Sequence, residues 1–137
     1  MAANALSYDA SDIAAVNAFT ALLNSGFIKI YSGAQPALNG AVTGTLLVTL
    51  TFGATAFSAA TASGGTVTAL ANAITSGTAG NSGTAGYFAL VKSDTTTVVG
   101  TGTVGTSNAN LIGPTTAITN GSNVSCSSFQ ITQLQNG

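Results

Sequence analysis

Apolar and polar residues alternate along most of this chain. The clearest alternation covers 45–52, where large apolar residues and threonines take turns and Leu47 is the one exception. A period of two residues predicts a β-strand with one buried face. Shorter or weaker stretches of this kind predict further strands, so that strands are expected over 27–31, 45–52, 54–59, 66–74, 86–92, 96–104, 115–119 and 123–134.

A helical spacing precedes these strands. Large apolar residues recur there at intervals of three and four, which predicts one α-helix. Ser11 or Asp12 is expected to cap its N-terminus, and Gly26 to end it in the left-handed conformation. The apolar face of this helix consists of Ile13, Val16, Phe19 and Leu23. The chain therefore divides into an N-terminal arm and helix over 1–26 and a β region over 27–137, within a single domain.

The spacing of strands and turns predicts the architecture. Segment 86–92 is apolar on both faces and is expected to be a central strand, whereas 75–86 is poor in large apolar residues and is expected to be a loop. Asn120-Gly121 predicts a two-residue hairpin, and a phase slip near Ser127-Ser128 predicts a β-bulge in the last strand. About eight antiparallel strands at this spacing indicate a mainly β, jelly-roll-like β-sandwich with a short N-terminal α-helix.

The sequence contains very few charged residues. Charged residues make up 4% of the chain and the net charge is −1, against roughly 25% charged residues in soluble domains. Two lysines cannot neutralise a nucleic-acid backbone or bind an anionic membrane surface, so neither partner is expected. A surface with so little charge favours association with other protein chains. The charged side chains are Asp9, Asp12, Lys29, Lys92 and Asp94.

Targeting signals are also missing. No apolar run approaches the ~18 residues of a membrane-spanning helix, and the start of the chain lacks a basic segment followed by an apolar one. Cys126 is the single cysteine, so no disulfide framework is expected. These features predict synthesis in a cytoplasm.

Candidate catalytic groups are few. The chain has no histidine, which excludes His-based acid–base catalysis and imidazole metal ligands. Cys126 is interpreted as a buried small hydrophobic residue, and Asp12 as a helix-capping carboxylate. Lys92 and Asp94 are expected to form a solvated pair beside a turn. No enzyme activity, catalytic residue, cofactor, metal or small-molecule substrate is therefore predicted.

One glycine motif invites a cofactor-binding interpretation. Residues 100–105 match G-x-G-x-x-G, but the dinucleotide fingerprint requires a following helix and an acidic residue about 20 positions on. The sequence predicts neither here. These glycines are therefore interpreted as strand and turn residues.

Three segments, in chain order, resemble a family of small tailed-phage virion proteins. They read FIKIYSGAQPALNGAVTGTLLVTLTFG, ANAITSGTAGNSGTAGYFALVKSDTTTVVGTGTVGTS and ITNGSNVSCSSFQIT. The family pattern has a short N-terminal helix, an "IKIYtGaqPa" strand and loop, a "GTLLatLt" strand, a "GTAgyF" strand and a final "sSFtIt" strand. These proteins are similar to head cement, or decoration, proteins with a β-sandwich or jelly-roll fold.

The resemblance implies a place in a virion. A protein of this kind binds major capsid protein on the capsid exterior and clamps neighbouring capsid subunits. It often associates with itself as a dimer or trimer on symmetry axes. Two alternatives stay open, namely a phage tail, collar or head-fibre component, and a carbohydrate-binding or adhesin β-sandwich. Tyr8 or Tyr87 in a surface groove would favour the second of these.

Contact residues are expected at the start of the β region. The candidates lie in strand 27–31 and loop 32–44, with the N-terminal arm 1–8 as a second candidate. The alternative is that the apolar residues of 27–31 belong to the core and to a sheet edge. The individual interface candidates are Phe27, Tyr31, Gln35, Pro36 and Tyr8.

Overall fold

The computed structural model describes residues 9–134. This part of the chain is mainly β, with one N-terminal helix and a β-sandwich-like fold, so the predicted fold class is confirmed. It contains twelve strands instead of about eight, because several pairings are only two residues long. The elements are α1 (Asp9–Ala21), β1 (Phe27–Ser32), β2 (Leu46–Phe52), β3 (Thr61–Ser63), β4 (Thr66–Leu70), β5 (Ile74–Thr75), β6 (Gly77–Thr78), β7 (Gly83–Val91), β8 (Val98–Gly105), β9 (Leu111–Ile112), β10 (Ala117–Ile118), β11 (Asn123–Val124) and β12 (Gln130–Leu134).

The largest sheet has the strand order β5-β2-β1-β7-β8-β9, and β10 also pairs with β7. Its pairings are antiparallel except for the short parallel one between β8 and β9. Strand β7 lies between β1 and β8, and its residues 87–91 are buried on both faces. The prediction of a central strand at 86–92 is therefore confirmed.

Two smaller sheets complete the fold. One has the order β12-β4-β3, and the other pairs β11 with β6. Strands β3 and β4 form a hairpin whose turn, Gly64-Gly65, has positive φ at both residues. That geometry matches the right-handed twist of the flanking strands. Helix α1 packs against the three-stranded sheet.

The core lies between the main sheet and the three-stranded sheet. Four phenylalanines meet there: the Phe129 ring centroid lies 5.7 Å from that of Phe88, 6.2 Å from that of Phe57 and 6.3 Å from that of Phe52, with tilts near edge-to-face. This arrangement is favoured by the quadrupoles of the rings. The buried aliphatic residues around it include Ile28, Ile30, Val48, Leu50, Val67, Ala69 and Leu90.

Gly100 and Gly102 of the G-x-G-x-x-G motif lie in β8 on the side facing this core. A Cβ at Gly102 would lie 2.5 Å from Cζ of Phe88, and one at Gly100 would lie 3.8 Å from Leu90 and 3.9 Å from Phe19. The glycines thus make room for aromatic and aliphatic side chains. The interpretation of these two residues as strand glycines is confirmed.

The ends of the helix differ from the prediction. Helix α1 includes Ser11 and Asp12 in its first turn, so neither residue precedes it as a cap. The left-handed residue after the helix is Ser25, with φ of 56°, and not Gly26. Gly26 is required for space instead, because a Cβ there would lie 2.4 Å from the Val91 carbonyl oxygen.

The Asn120-Gly121 turn does not join a hairpin. Gly121 has φ of 89° and Ser122 N–H donates to the Thr119 carbonyl, but Asn120 is not in the positive-φ region. This fits a type II turn, whereas a two-residue type I′ hairpin needs positive φ at both central residues. The two flanking strands do not pair with each other, because β10 pairs with β7 and β11 pairs with β6. The predicted hairpin is therefore wrong.

Other segment boundaries also differ. Segment 123–134 is not one bulged strand but two strands, β11 and β12, in different sheets. Segment 75–86 contains β6 and the start of β7, so it is only partly a loop. Segment 54–59 contributes one isolated bridge, Phe57 to Ala71, instead of a strand. Within the described range, none of the helical structure is long and apolar enough to span a membrane.

Candidate protein-interaction surface

The main sheet has an outer face, opposite the core, on which residues paired across the strands lie side by side. Phe27 lies between Thr51 and Val91, Lys29 lies between Thr49 and Ala89, and Tyr31 lies beside Tyr87. Strand β8 adds Thr101 and Thr103 to the same face. The outer face is therefore rich in threonine and carries one charged residue, Lys29. We define it by Phe27, Lys29, Tyr31, Thr49, Thr51, Tyr87, Ala89, Val91, Thr101 and Thr103.

Two tyrosines stack at one end of this face. The rings of Tyr31 and Tyr87 lie 5.2 Å apart with an interplanar angle of 12°. Tyr87 is completely buried and Tyr31 is partly exposed. Burial raises the pKa of the Tyr31 hydroxyl, and the neighbouring Tyr87 contributes in the same direction. Because Tyr87 is completely buried, it does not line a surface groove. The carbohydrate-binding alternative therefore loses one of the two tyrosines that would favour it.

Residues 33–44, which we call the covering loop, cross over this end of the outer face. The Tyr87 hydroxyl accepts a hydrogen bond from Thr43 N–H at 3.0 Å and donates one to the Thr43 carbonyl. Gln35 Nε2 donates to Thr101 Oγ1 at 2.8 Å. Gly86 allows the close approach, since a Cβ there would lie 1.8 Å from the Gly33 carbonyl oxygen. The loop is thus held against β7 and β8 by hydrogen bonds and by close packing.

The tip of the covering loop presents an apolar side chain to solvent. Gly40 N–H donates to the Ala37 carbonyl at 2.7 Å, and Asn39 has φ of 60°. These values describe a tight turn with Leu38 at its second position. Leu38 is 95% exposed, and Val98 at the start of β8 is 40% exposed. A groove of about 320 Å³ lies between residues 36–40 of the loop and 98–101 of β8.

The structure places four of the five predicted interface residues on the outer face or in the covering loop beside it, with Phe27 and Tyr31 at opposite ends of β1. Phe27 and Tyr31 are half-buried on the outer face, Gln35 anchors the covering loop, and Pro36 lines the groove beside Leu38. Tyr8, like the rest of the arm 1–8, lies outside the described residues. The alternative interpretation, that apolar residues of 27–31 belong to the core, holds for Ile28 and Ile30, which are buried.

Leu38 lies in the predicted contact loop 32–44 but was not one of the individual interface candidates, and Val98 lies outside the predicted contact segments. Leu38 had a usable signal, because it is a lone large aliphatic residue inside a Pro/Asn/Gly loop, where burial in the same chain is uncommon. Val98 had none, since it is one of several strand valines. Its exposure follows from its place where β8 leaves the turn, opposite Val91.

The charged groups near this surface are held by the β7–β8 turn. Lys29 Nζ donates to the Thr95 carbonyl at 2.8 Å. The Asp94 carboxylate accepts hydrogen bonds from the Thr97 hydroxyl and from the N–H groups of Thr97 and Thr96, which lower its pKa to about 2. Lys92 adds the smallest contribution to this pKa. The Asp94 carboxylate is thus held mainly by hydrogen bonds within the turn, and the charge of Lys92 acts on it only weakly.

A second and larger cavity lies on the other side of the main sheet. It has a volume of about 790 Å³ and runs between core residues such as Ile30 and Leu50 and the chain from 110 to 130. Cys126 lines it, and burial raises the pKa of its thiol, so the thiolate is disfavoured. No charged side chain lines this cavity among the described residues, and the same part of the chain holds no cluster of three metal-ligating side chains.

Comparison with known proteins adds no relative: no protein-family model, no curated protein and no solved structure matches this chain. Proposals about its function therefore depend on the resemblance of its motifs and on the geometry of its surfaces.

Proposed function

We propose that this protein is a non-enzymatic virion structural protein, a cement or decoration protein that binds major capsid protein on the exterior of a tailed-phage head. The observation that supports this proposal is the covering loop, which holds Leu38 at 95% exposure above an almost uncharged face. An aliphatic side chain kept in water on a fixed loop costs free energy that a protein partner can recover, about 1.5–3 kcal/mol for a leucine.

The loop suits docking because its conformation exists before binding. Its two ends are joined by the Ser32 N–H bond to the Thr45 carbonyl at 3.0 Å, and its middle is bonded to Tyr87 and Thr101. A preordered loop loses less conformational entropy on binding than a free one. Leu38, Val98 and Pro36 then form a compact apolar contact beside the polar groups of Gln35 and Thr101.

Low charge and repetition favour a cementing role. A net charge of −1 causes little repulsion between neighbouring copies. Many copies on one shell act together, so a modest contact per copy gives strong overall attachment. A contact of about 800 Å² per partner is the usual size for a specific interface. Clips of this kind across capsid subunits would resist the outward pressure of packaged DNA.

Co-sedimentation with empty, expanded capsid shells of the source virus tests this proposal, with tail complexes as the parallel bait. We expect saturable binding to shells and increased resistance of the shells to heat. Leu38→Asp is expected to abolish binding. Ile112→Asp, at a leucine-sized residue that is 60% exposed elsewhere on the molecule, is the matched control. Binding to tails alone would favour the tail, collar or fibre alternative, and binding to neither bait would contradict both.

A further inference from the structure

Strand β12 has an open edge. It pairs with β4 on one side, and Ala71 N–H donates to the Phe129 carbonyl just before the strand begins. Backbone groups alternate in direction along an antiparallel strand. Ile131 and Gln133 therefore direct their N–H and C=O groups toward β4, and Gln130, Thr132 and Leu134 direct theirs away from it. Within the described residues, no strand pairs with that side.

The other sheet edges are short or are bonded over part of their length. Along β2, Gly80 N–H donates to the Leu47 carbonyl and Asn81 Nδ2 to the Leu46 carbonyl. On β8, Thr103 N–H donates to Asn110 Oδ1 at 3.0 Å, and β9 pairs with the end of the strand. Strand β3, at the far edge of the three-stranded sheet, is only three residues long. Strand β12 is thus an unprotected edge of five residues.

Nothing along β12 opposes pairing with another strand. Edge strands are usually protected by a lysine, a proline or a bulge, and Gln130–Leu134 contains none of these. The outward surface of this sheet is also uncharged. It carries two exposed leucines, Leu70 at 56% and Leu134 at 72%, together with Thr61, Ser63, Thr66, Thr68, Gln130 and Thr132.

We propose that the β12 edge binds the β12 edge of a second copy of this chain, antiparallel about a two-fold axis at Thr132, so that two three-stranded sheets become one. Thr132 would then face Thr132 of the second copy, and Gln130 would face its Leu134. These pairs exchange about six backbone hydrogen bonds.

The side chains fit this register. The Leu134 side chain of one copy lies over the aliphatic stem of Gln130 of the other, in the same row as Leu70, because Leu70 and Gln130 are directly paired. The central pair is Thr–Thr, a favourable cross-strand combination. Since no charged residue lies in either strand, no like charges meet. A two-fold contact requires a self-complementary edge of this kind.

A charge at the axis tests the pairing. We expect the wild-type protein to show a concentration-dependent monomer–dimer equilibrium in analytical ultracentrifugation between micromolar and near-millimolar concentrations. Thr132→Lys places two ammonium groups opposite each other and should raise the dimer Kd about tenfold or more. Thr61→Lys, on the same face but on β3, should leave the Kd unchanged. Thermal unfolding of each variant checks that the fold is retained.

Disulfide trapping provides a second, positive test. In a Cys126→Ala background, Thr132→Cys places two thiols on Cα atoms about 5.5 Å apart in the dimer, within the range of a disulfide. Oxidised glutathione should then convert the two thiols to an intermolecular disulfide while being reduced itself. Thr61→Cys should not cross-link. A wild-type protein that stays monomeric, a dimer that Thr132→Lys does not weaken, or equal cross-linking at both positions would overturn the proposal.

Discussion

Tyr31 and Tyr87 are directly paired across β1 and β7, and their rings stack 5.2 Å apart. Tyr87 also bonds through its hydroxyl to both backbone groups of Thr43 in the covering loop. One buried side chain therefore connects the register of the central strands to the placement of the loop that carries Leu38. The interaction surface depends on a residue that it does not expose.

Tyr87→Phe should loosen the covering loop without disturbing the sheet. The ring stack is kept, but Thr43 loses its bonding partner, which we expect to lower the free energy of unfolding by about 1 kcal/mol. Urea denaturation measures this change, and limited proteolysis should show faster cleavage within 33–44. Tyr31→Phe, which keeps the stack and the Thr43 contacts, is the matched control. Equal cleavage of wild type and Tyr87→Phe would show that this hydroxyl does not hold the loop.

Leu38→Ala should weaken attachment to the shell while leaving stability unchanged. The side chain is 95% exposed, so its removal costs little in the free protein, whereas its burial in an interface is worth about 1.5–3 kcal/mol. We expect the Kd for shells to rise about tenfold or more. Titration of shells with labelled protein measures it. Ile112→Ala is the control and should leave the Kd unchanged. An unchanged Kd for Leu38→Ala would place the docking contact elsewhere on the molecule.

Gly102→Ala should destabilise the fold through crowding. The new Cβ would lie 2.5 Å from Cζ of Phe88, whose buried ring packs edge-to-face against that of Phe129. Overpacking of this kind costs about 1–3 kcal/mol. Gly80→Ala is the control, because a Cβ at Gly80 has no atom within 4 Å, and its effect should stay within about 0.5 kcal/mol. Thermal or urea unfolding compares the two, and equal stability would mean that Phe88 has room to move.

Asp94 should make stability depend on acid pH. Its pKa is lowered from 3.8 to about 2 by the hydrogen bonds from Thr97 and Thr96. A group whose pKa is lower in the folded state stabilises the fold above its unfolded pKa and loses that effect as the pH falls through its folded value. Stability should therefore decrease between about pH 4 and about pH 2.

Asp94→Asn isolates this effect. The variant should unfold with a flatter dependence on pH across that range, and Thr97→Val, which removes the side-chain hydrogen bond, should fall between it and the wild type. Urea midpoints measured at several pH values give the comparison. Parallel pH profiles for all three proteins would show that Asp94 does not contribute to acid sensitivity.

Local patterns predicted the strands that make up the centre of the fold. Strand 27–31 and the alternation of 45–52 correspond to β1 and β2, because both strands have one side in the core and the other on the outer face. Leu47, the exception in the pattern, lies at the register shift between β1 and β2, where the extra residue is also buried.

The C-terminal third was predicted less well. Asn120-Gly121 has the composition of a hairpin turn, and 123–134 has the composition of one long strand. Their pairing partners, however, are β7, β6 and β4, which lie far away in the sequence. Composition cannot choose among distant partners when each pairing is only two to five residues long.

The interface candidates were likewise predicted in part from the sequence and in part only from the folded structure. The sequence alone singled out Phe27, Tyr31, Gln35 and Pro36 as neighbours along the chain. Their common face, and the addition of Val98 and Thr101 from β8, come from the antiparallel order β1-β7-β8 and from the return of the covering loop.

A mainly β chain with one short helix could be predicted from periodicity and composition, because these patterns act over a few residues at a time. Three features could be seen only in the folded chain: Tyr87 is buried under the covering loop, the Leu38 side chain is exposed to solvent, and β12 has an open edge. Each of these depends on which distant strands hydrogen-bond to one another. That choice is made by the packing of the whole core, since only the complete set of contacts repays the entropy of closing the long loops between them.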